Sequence, residues 1–235
     1  MEKVAKRPLE PRAQAVVDRL HSASKQQLLK SVPGMVGSMV RSRVKDGTWD
    51  STFTPDGKKF LSDKMVALAP AKAALAYQLC RASGARRIVE AGTSFGVSTI
   101  YLASAVAENV DGAEGEGVVI GTEHEPSKVE IARRHLDEAG VGAFADVREG
   151  DLRQTLLDVE GPIDFMLVDI WIPMALPALE IIAPKLRPGA LVFCDNVVGA
   201  HAQYRDYLEY VRDPGGDFAS VTIPGTGGLE VSRKR

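Results

Sequence analysis

The sequence predicts an α/β fold with a mostly parallel sheet and an antiparallel pair of strands at its C-terminal end. Three observations support this prediction. A strand, a glycine turn and a helix start follow one another between Arg87 and Ala103. Further short apolar runs alternate with helical patterns and end in an acidic residue. The last two predicted strands are joined by a short loop, which indicates a hairpin at the edge of the sheet.

The composition is that of an ordinary globular protein, and it excludes several classes of function. Charged residues make up 26% of the 235 residues and the net charge is −2, so nothing favours nucleic acid or a membrane surface as a partner. The longest apolar stretch, Ile170 to Ala183, is interrupted by prolines and a glutamate. Cys80 and Cys194 lie in apolar contexts and are expected to be buried thiols. We therefore expect a soluble cytoplasmic protein.

Helices are predicted throughout the N-terminal third of the chain. Apolar residues recur at helical spacing up to about residue 30, and Pro33-Gly34 is predicted to break this helix. A second helix is predicted to follow up to Val44, and a third to cover residues 71–83.

These helices and the sheet are expected to form a single domain with two regions. Residues 1–84 are predicted to be a helical cap or lid, and residues 85–235 the α/β core. Such helices can act as a lid or as a dimer contact, or they can simply cover the sheet. A homodimer is the expected assembly.

The turn between the first strand and its helix is the centre of the predicted site. The strand ends at Glu90, and Gly92 and Gly96 bracket a tight turn before a helix that begins near Ser98. Glycines there let a ligand approach the backbone, and the helix start offers free N–H groups. Unlike the dinucleotide fingerprint, this turn carries a carboxylate, which would repel a pyrophosphate but suits the cationic S-adenosylmethionine. Alternatively, the glycines serve only packing.

The next two strands are expected to complete a nucleoside site. The strand Val118–Glu123 ends in a carboxylate that can accept hydrogen bonds from both ribose hydroxyls. His124 follows it and is expected to be solvated. The third strand is followed by Gly150-Asp151, which is well placed to meet an adenine amino group, although a simple turn role explains these residues nearly as well.

Oxygen ligands follow the fourth and fifth predicted strands. The run Ile163–Asp169 ends in Asp169, and Leu191–Asp195 is followed by Asn196. Parallel strands present their carboxyl ends at the edge where α/β sheets bind ligands. Two carboxylates and an amide oxygen would select Mg²⁺, Ca²⁺ or Mn²⁺ over zinc. The alternative is that the same residues cap helices and form turns.

The motif E-A-G-T-S-F-G-V-S resembles motif I of the class I S-adenosylmethionine-dependent methyltransferases. From about residue 60 to its end, the chain resembles the metal-dependent O-methyltransferases, such as the catechol and caffeoyl-CoA enzymes. The likeness is greatest to bacterial members that read GARRIVE-GTSFGVST and LRPGALV--DN. The resemblance implies a Rossmann-like methyltransferase fold with a seven-stranded sheet, S-adenosylmethionine as cofactor and Mg²⁺ as the metal ion.

The resemblance also implies roles for individual residues. Asp169, Asp195 and Asn196 align with the metal triad, and Trp171 is expected to pack against cofactor or substrate. Glu230 lies in a terminal G-L-E, whose carboxylate contacts a catechol hydroxyl in the family. The residues expected to contact the cofactor are Val66, Ala67, Leu68, Glu90, Gly92, Thr93, Ser94, Ser98, Glu123, His124, Gly150, Asp151, Asp169 and Trp171.

One position departs from the family pattern. The residue after D-x-W is commonly a lysine taken to be the general base, and here it is Ile172. The metal alone can lower the hydroxyl pKa, or His201 can take the proton. The remaining option is another kind of acceptor, or no metal. We favour the first two together, which makes Asp169 and His201 the predicted catalytic residues.

The predicted function is therefore methyl transfer from S-adenosylmethionine to a hydroxyl of a small aromatic molecule with adjacent oxygens, assisted by a divalent ion. One alternative is an NAD-dependent oxidoreductase, because Glu123 would also suit the ribose of NAD. The other is a methyltransferase-fold protein that binds without catalysis, for which the missing lysine is the best support.

Overall fold

The computed structural model describes residues 7–46, 65–111, 115–225 and 227–235. These residues divide into two compact units. The described residues of 1–16 and 68–235 form the first unit, and those of 17–67 form the second. The first unit contains the whole sheet. The predicted boundary between cap and core at residue 84 follows from the sequence pattern alone and stays a prediction.

Helices and strands alternate along most of the first unit. In the described part of the chain the helices are α1 Pro11–Asp46, α2 Pro70–Ala82, α3 Val97–Val110, α4 Pro126–Ala139, α5 Leu152–Thr155, α6 Ala175–Ile182 and α7 Arg205–Arg212. The strands are β1 Arg87–Ala91, β2 Val118–Glu123, β3 Ala145–Glu149, β4 Ile163–Val168, β5 Leu186–Asp195, β6 Phe218–Ile223 and β7 Leu229–Lys234.

The described strands form one seven-stranded sheet in the order β3-β2-β1-β4-β5-β7-β6. The strands β1 to β5 pair in parallel, and β7 runs antiparallel to both β5 and β6. The predicted fold class is confirmed, including the C-terminal hairpin. Because the strand order reverses between β1 and β4, a crevice is expected at the carboxyl ends of these two strands.

The register of the central strands brings their ends to a common edge. Glu90 in β1 lies opposite Gly121 in β2 and Leu167 in β4. Both faces of these strands are buried, as is usual for parallel strands covered by helices. Phe165 and Phe193 meet edge to face in the core, with ring centroids 5.0 Å apart. The site is therefore carried by the buried central strands of the sheet.

The predicted helix break at Pro33-Gly34 is wrong, because α1 continues from Pro11 to Asp46. A proline removes one backbone hydrogen bond but already has a helical φ, so it discourages a helix without forbidding it. Local preferences of this kind are routinely overridden in a folded chain.

The fifth strand begins earlier than the predicted run Leu191–Asp195, because β5 starts at Leu186 and includes Arg187-Pro-Gly-Ala190. Ile163 pairs with Leu186 but Phe165 pairs with Leu191, so these residues form an irregularity within the strand. Gly189 has a φ of 82°, which marks the point where the chain leaves the regular ladder. Gly189 interrupts the regular pairing, but the strand continues and pairs with β4 again at Leu191.

Two further features concern the whole chain. Cys80 in α2 and Cys194 in β5 are free, buried thiols, as predicted. Among the residues that the structure describes, no helix is both long and apolar enough to cross a bilayer.

Candidate active site

Gly92 joins the turn after β1 to the end of β4. Its φ is 100°, and a β-carbon added there would lie 2.1 Å from the carbonyl oxygen of Asp169. The Asp169 N–H also donates to the carbonyl oxygen of Ala91 at 3.0 Å. The sequence left two roles open for this glycine, ligand approach and packing, and the structure shows it packed against the backbone of Asp169. The turn and the predicted metal edge are therefore in direct contact.

Glu90 stabilises the turn from inside the protein. Its side chain is fully buried, and Oε2 accepts hydrogen bonds from Thr93 Oγ1 at 3.0 Å and Thr99 Oγ1 at 2.5 Å. Burial raises the pKa of Glu90, and the hydroxyls of Ser98, Thr99 and Thr93 partly oppose that rise. Among the described residues, no group makes a regular hydrogen bond to its buried Oε1. A buried acceptor of this kind is unfavourable, so this oxygen fits a donor supplied by a ligand.

Glu123 holds the same turn from the end of β2. Its Oε2 accepts from the Ser94 N–H at 2.8 Å and its Oε1 from the Glu125 N–H at 2.9 Å. Ser94 has a φ of 49°, a left-handed conformation that is uncommon outside glycine. The carboxylate remains partly exposed. Since each oxygen can accept a second hydrogen bond, Glu123 can still bind ribose hydroxyls.

Asp151 and His124 lie near each other beside this turn. The Asp151 carboxylate accepts from the Arg153 N–H at 2.9 Å and pairs with the Arg153 guanidinium, so it caps α5. These contacts, together with His124, lower the pKa of the exposed Asp151 to about 2. The N–H of Gly150 donates to the Glu123 carbonyl oxygen at 2.9 Å. The structure thus shows the turn role, and the adenine contact stays a prediction.

Asp169 and Asp195 lie close together at the ends of β4 and β5. Burial, then the nearby carboxylates of Asp195 and Glu90, raise the pKa of Asp169 to about 7, against the opposing charge of Lys72. Asp195 is only 5% exposed. Lys72 Nζ forms an ion pair with Asp195 Oδ1 and donates to the Gly228 carbonyl oxygen at 3.1 Å. The ammonium group of Lys72 is therefore already paired with Asp195, one of the predicted metal ligands.

Asn196 follows Asp195 in a left-handed conformation, with a φ of 63°. Its N–H donates to the Gly228 carbonyl oxygen at 3.1 Å. Its Oδ1 packs against Gly227, where an added β-carbon would lie 2.2 Å away. The described chain has no group of three or more His, Cys, Asp or Glu side chains arranged to hold a metal. The predicted triad has two carboxylates and one amide, and hard oxygen donors of this kind fit a divalent ion such as Mg²⁺.

The segment before α2 belongs partly to each unit. In the second unit, Ser24 Oγ donates to the Met65 carbonyl oxygen at 2.6 Å, and the Ala67 N–H donates back to Ser24 Oγ at 3.4 Å. Val66 is 52% exposed, and Leu68, in the first unit, is buried. The contacts of Val66, Ala67 and Leu68 with a cofactor stay predictions.

Trp171 presents an aromatic surface two residues after Asp169. It is 40% exposed, and its carbonyl oxygen accepts from the Met174 N–H at 2.8 Å, which closes a short 3₁₀ turn over Ile172–Met174. This half-exposed indole offers an apolar face beside the edge that carries Asp169. Its contact with cofactor or substrate stays a prediction.

Glu230 is fully buried between α7 and the hairpin. Arg212 donates to both of its oxygens at 2.8 Å, and Ser220 Oγ and Thr222 Oγ1 donate at 2.7 and 2.6 Å. Burial would raise the pKa of Glu230, but these partners outweigh it and lower the pKa. Both oxygens are therefore engaged within the protein. The predicted contact with a substrate hydroxyl stays a prediction that these interactions do not support.

His201 is exposed and lies in a different setting from the two aspartates. It lines a groove of about 480 Å³ along α7, together with Arg205, Leu208, Glu209, Arg212, Asp213 and Pro214. None of these residues belongs to the predicted cofactor or metal set. The role of His201 as general base stays a prediction.

Lys72 is the residue of the site that the sequence did not single out. It is the one charged residue in the stretch Leu68–Leu79, which otherwise consists mainly of alanine, leucine and proline. A single charge on a largely apolar helix is a signal of a buried partner, because lysine is almost never buried without one. The partner itself lies 123 positions away in sequence.

Comparison with known proteins identifies the central part of the chain. Residues 89–197, which include β1, the glycine turn and both aspartates, match the family described as a methyltransferase domain. This match confirms the resemblance to the methyltransferases over these residues.

Two curated relatives show how far the likeness in sequence extends. The catechol O-methyltransferases of Niastella koreensis and Mycobacterium tuberculosis are 31% identical over 125 residues and 34% identical over 124 residues. These alignments cover 52% and 51% of this chain and 52% and 53% of the relatives, so the chain spans about half the length of the relatives it matches.

The likeness in structure extends beyond residues 89–197. The O-methyltransferase TomG from Streptomyces achromogenes, solved in complex with SAM, superposes with a TM-score of 0.62. The match covers 89% of this chain and 96% of TomG at 23% identity. At this identity, the comparison establishes the shared fold.

Proposed function

We propose that the protein is an S-adenosylmethionine-dependent O-methyltransferase acting on a hydroxyl of a small molecule. The observation that carries the proposal is the contact between Gly92 and Asp169. It joins the turn that suits a cationic methyl donor to the edge that gathers Asp169 and Asp195. The names of the two relatives, both catechol O-methyltransferases, support the same reaction class, and the SAM complex of TomG supports the same cofactor.

The turn after β1 fits the cofactor by charge. S-adenosylmethionine, when bound, supplies an activated methyl group on a positively charged sulfur. Glu90 and Glu123 place two carboxylates at this turn, and no side chain caps the first N–H groups of α3, which leaves them available to a ligand. A coenzyme with a pyrophosphate would meet repulsion from the same carboxylates. Glu123 is proposed to hold the ribose, and the buried oxygen of Glu90 to accept a hydrogen bond from the cofactor's methionine part.

The edge formed by β4 and β5 is proposed to hold the acceptor with a divalent ion, most simply Mg²⁺. Asp169, Asp195 and Asn196 would hold such an ion, and its charge would lower the pKa of a neighbouring hydroxyl. Trp171 and Val198 are 40% and 51% exposed and offer apolar surface for an aromatic ring. The names of the relatives support an acceptor with adjacent oxygens.

The chain's contribution to the reaction is mainly alignment. Because Gly92 packs on the Asp169 backbone, the positions of donor and acceptor are fixed relative to each other by the central strands. Holding two reactants in line is equivalent to effective concentrations on the order of 10⁵ M or more. Ile172 cannot accept a proton, so the proton of the hydroxyl is proposed to leave to His201 or to water.

Two measurements test the proposal. Calorimetric titration should show binding of S-adenosylmethionine and of S-adenosylhomocysteine, and none of NADH. NADH binding without S-adenosylmethionine binding would establish the oxidoreductase alternative instead.

A screen of catechols and other hydroxylated aromatics, with and without chelator, should show methylation that requires a divalent ion. Methylation that survives the chelator would remove the metal from the proposal and leave the transferase. Cofactor binding with no turnover on any acceptor would favour the non-catalytic alternative.

The proposal extends to location and assembly. Two buried free thiols are typical of proteins from a reducing compartment, which supports the cytoplasm. A homodimer is proposed from the family resemblance alone.

A further inference from the structure

The ion pair between Lys72 and Asp195 is well shielded from solvent. The two side chains are 14% and 6% exposed. Lys72 Nζ also donates to the Gly228 carbonyl oxygen at 3.1 Å, so its ammonium is held between β5 and the residue preceding β7. Attraction between charges is much stronger in such surroundings than at a surface. The contact is therefore a stable part of the site and not an exposed surface pair.

The same carboxylate is one of the proposed ligands of the divalent ion. An ion bound to Asp195 would lie within a few Å of the Lys72 ammonium if that group stayed in place. Two cations at this separation repel each other strongly where water is scarce. The ammonium and the ion therefore cannot both hold Asp195 without a large loss of affinity.

Lysine is suited to leave such a site. Lys72 lies in the first turn of α2, whose backbone is fixed by Pro70 at its start. Its side chain is a flexible four-carbon stem with a compact charge, so the ammonium can withdraw without moving the helix. If it withdrew and nothing replaced it, Asp195 would remain buried without a counter-charge, which is strongly unfavourable. An incoming ion provides the replacement.

We propose that Lys72 is the internal counter-ion of Asp195 and that a divalent ion must displace it to bind there. This inference rests on the proposed function, because it takes Asp195 as a ligand of the ion. Lys72 holds the end of β5 in the metal-free protein, and the ion holds it in the loaded protein. Lys72 thereby sets the ion concentration at which the site fills.

Binding of Mn²⁺ to the purified full chain tests the proposal, because the signal of free Mn²⁺ in electron paramagnetic resonance measures binding without any turnover. We expect Lys72→Met and Lys72→Gln to bind Mn²⁺ at least about tenfold more tightly than the wild type, since a repelling charge is removed. Lys72→Gln keeps a hydrogen-bond donor for the Gly228 carbonyl oxygen, and it replaces Lys72→Met in the comparison if Lys72→Met does not fold.

Lys234→Met is the matched control, because it breaks the Lys234–Asp217 ion pair of 2.6 Å at the opposite end of β7. It should bind Mn²⁺ as the wild type does.

Thermal unfolding gives a second, independent measure. Without metal, Lys72→Met should melt at a lower temperature than the wild type, because Asp195 loses its partner. Added Mn²⁺ should raise the melting temperature of Lys72→Met by more than that of the wild type. Lys234→Met should show no such metal-dependent recovery.

Two results would overturn the proposal. Equal or weaker Mn²⁺ binding by both Lys72 variants would mean that Lys72 orients Asp195 and does not compete with the ion. An absence of Mn²⁺ binding by the wild type and by both variants would remove the metal itself. Calorimetric titration of the same samples with S-adenosylmethionine separates this failure from that of the proposed function, because a transferase that uses no metal would still bind the cofactor.

Discussion

Gly92 determines how closely two parts of the candidate site approach each other. Its positive φ favours glycine, and the Asp169 carbonyl oxygen leaves no room for a β-carbon. These are two separate reasons why only glycine fits this position. Gly84 shares the first reason, with a φ of 62°, but an added β-carbon there would have no atom within 4 Å. A side chain at Gly84 would therefore meet backbone strain alone, whereas one at Gly92 would meet strain and a steric collision.

Substitution of Gly92 by alanine should lower the free energy of unfolding by about 3 kcal/mol or more, because strain and collision add. Gly84→Ala should cost about 1 kcal/mol through strain alone. Urea denaturation measures both values. Gly92→Ala should also weaken S-adenosylmethionine binding, and equal stability losses in the two variants would show that the contact with Asp169 is unimportant.

Asp195 and the cofactor turn should be separable by mutation. Asp195→Ala is expected to abolish metal-dependent turnover while the dissociation constant for S-adenosylmethionine changes only a few-fold, because the contacts of this side chain are with Lys72 and not with the turn. Asp217→Ala also removes the carboxylate of a lysine–aspartate pair and should leave both quantities unchanged. Calorimetry and a methylation assay decide the matter, and a large loss of cofactor affinity in Asp195→Ala would contradict this division of roles.

At the scale of elements, Asp164 connects three strands at the edge opposite the site. From β4, it accepts hydrogen bonds from the N–H groups of Arg86 and Arg87 at 2.9 Å and from Arg187 Nε at 2.6 Å. Burial would raise its pKa, but the bonds from Arg187, Arg87 and Arg86 outweigh burial and lower it. This carboxylate therefore stabilises the start of β1, which leads into the glycine turn.

Asp164→Asn should reduce the free energy of unfolding at pH 7 by about 2 kcal/mol, the size of one hydrogen bond to a charged group. Because the folded-state pKa lies below the ordinary value of 3.8, this stabilisation is complete above that value and is lost as the pH falls through the folded-state pKa. The difference between the wild type and Asp164→Asn should therefore shrink below about pH 4. Denaturation curves at pH 7, 5 and 3 test this, and a difference that is constant with pH would exclude the carboxylate as its source.

At the scale of the whole molecule, cofactor binding should stabilise the fold. S-adenosylhomocysteine at 100 times its dissociation constant is expected to add about 2.7 kcal/mol to the free energy of unfolding. Differential scanning fluorimetry should show a rise in melting temperature with S-adenosylhomocysteine and none with NADH. A rise with NADH alone would indicate a dinucleotide site.

Much of this architecture could be predicted from sequence because it follows from local patterns. The strand ends at Glu90, Glu123 and Asp169 are marked by apolar runs that stop at an acid, and parallel pairing brings such ends to a common edge. The same logic predicts that Asp169 and Asp195 follow neighbouring strand ends, and in the structure the preceding residues, Val168 and Cys194, are paired between β4 and β5.

Other features depended on partners far away in the chain. The sequence pattern could not pair Lys72 with Asp195, nor show that the turn glycine accommodates Asp169, since these contacts form only in the folded sheet. The sequence pattern also could not predict the ion pair between Arg212 and Glu230, because it forms only when α7 packs against the hairpin. The continuity of α1 through Pro33 does not follow from the sequence pattern, because the local preference of a proline is overridden in the folded chain.

The two buried cysteines provide the molecule with reporters of its own opening. Cys80 in α2 and Cys194 in β5 are fully enclosed, and burial raises the pKa of both thiols, so the closed protein is inert to alkylating reagents. The rate at which a thiol of the native protein is alkylated therefore measures how often the structure around that sulfur atom opens. Mass spectrometry after brief exposure would show which cysteine reacts first, and so whether the helical side or the strand that carries Asp195 yields earlier.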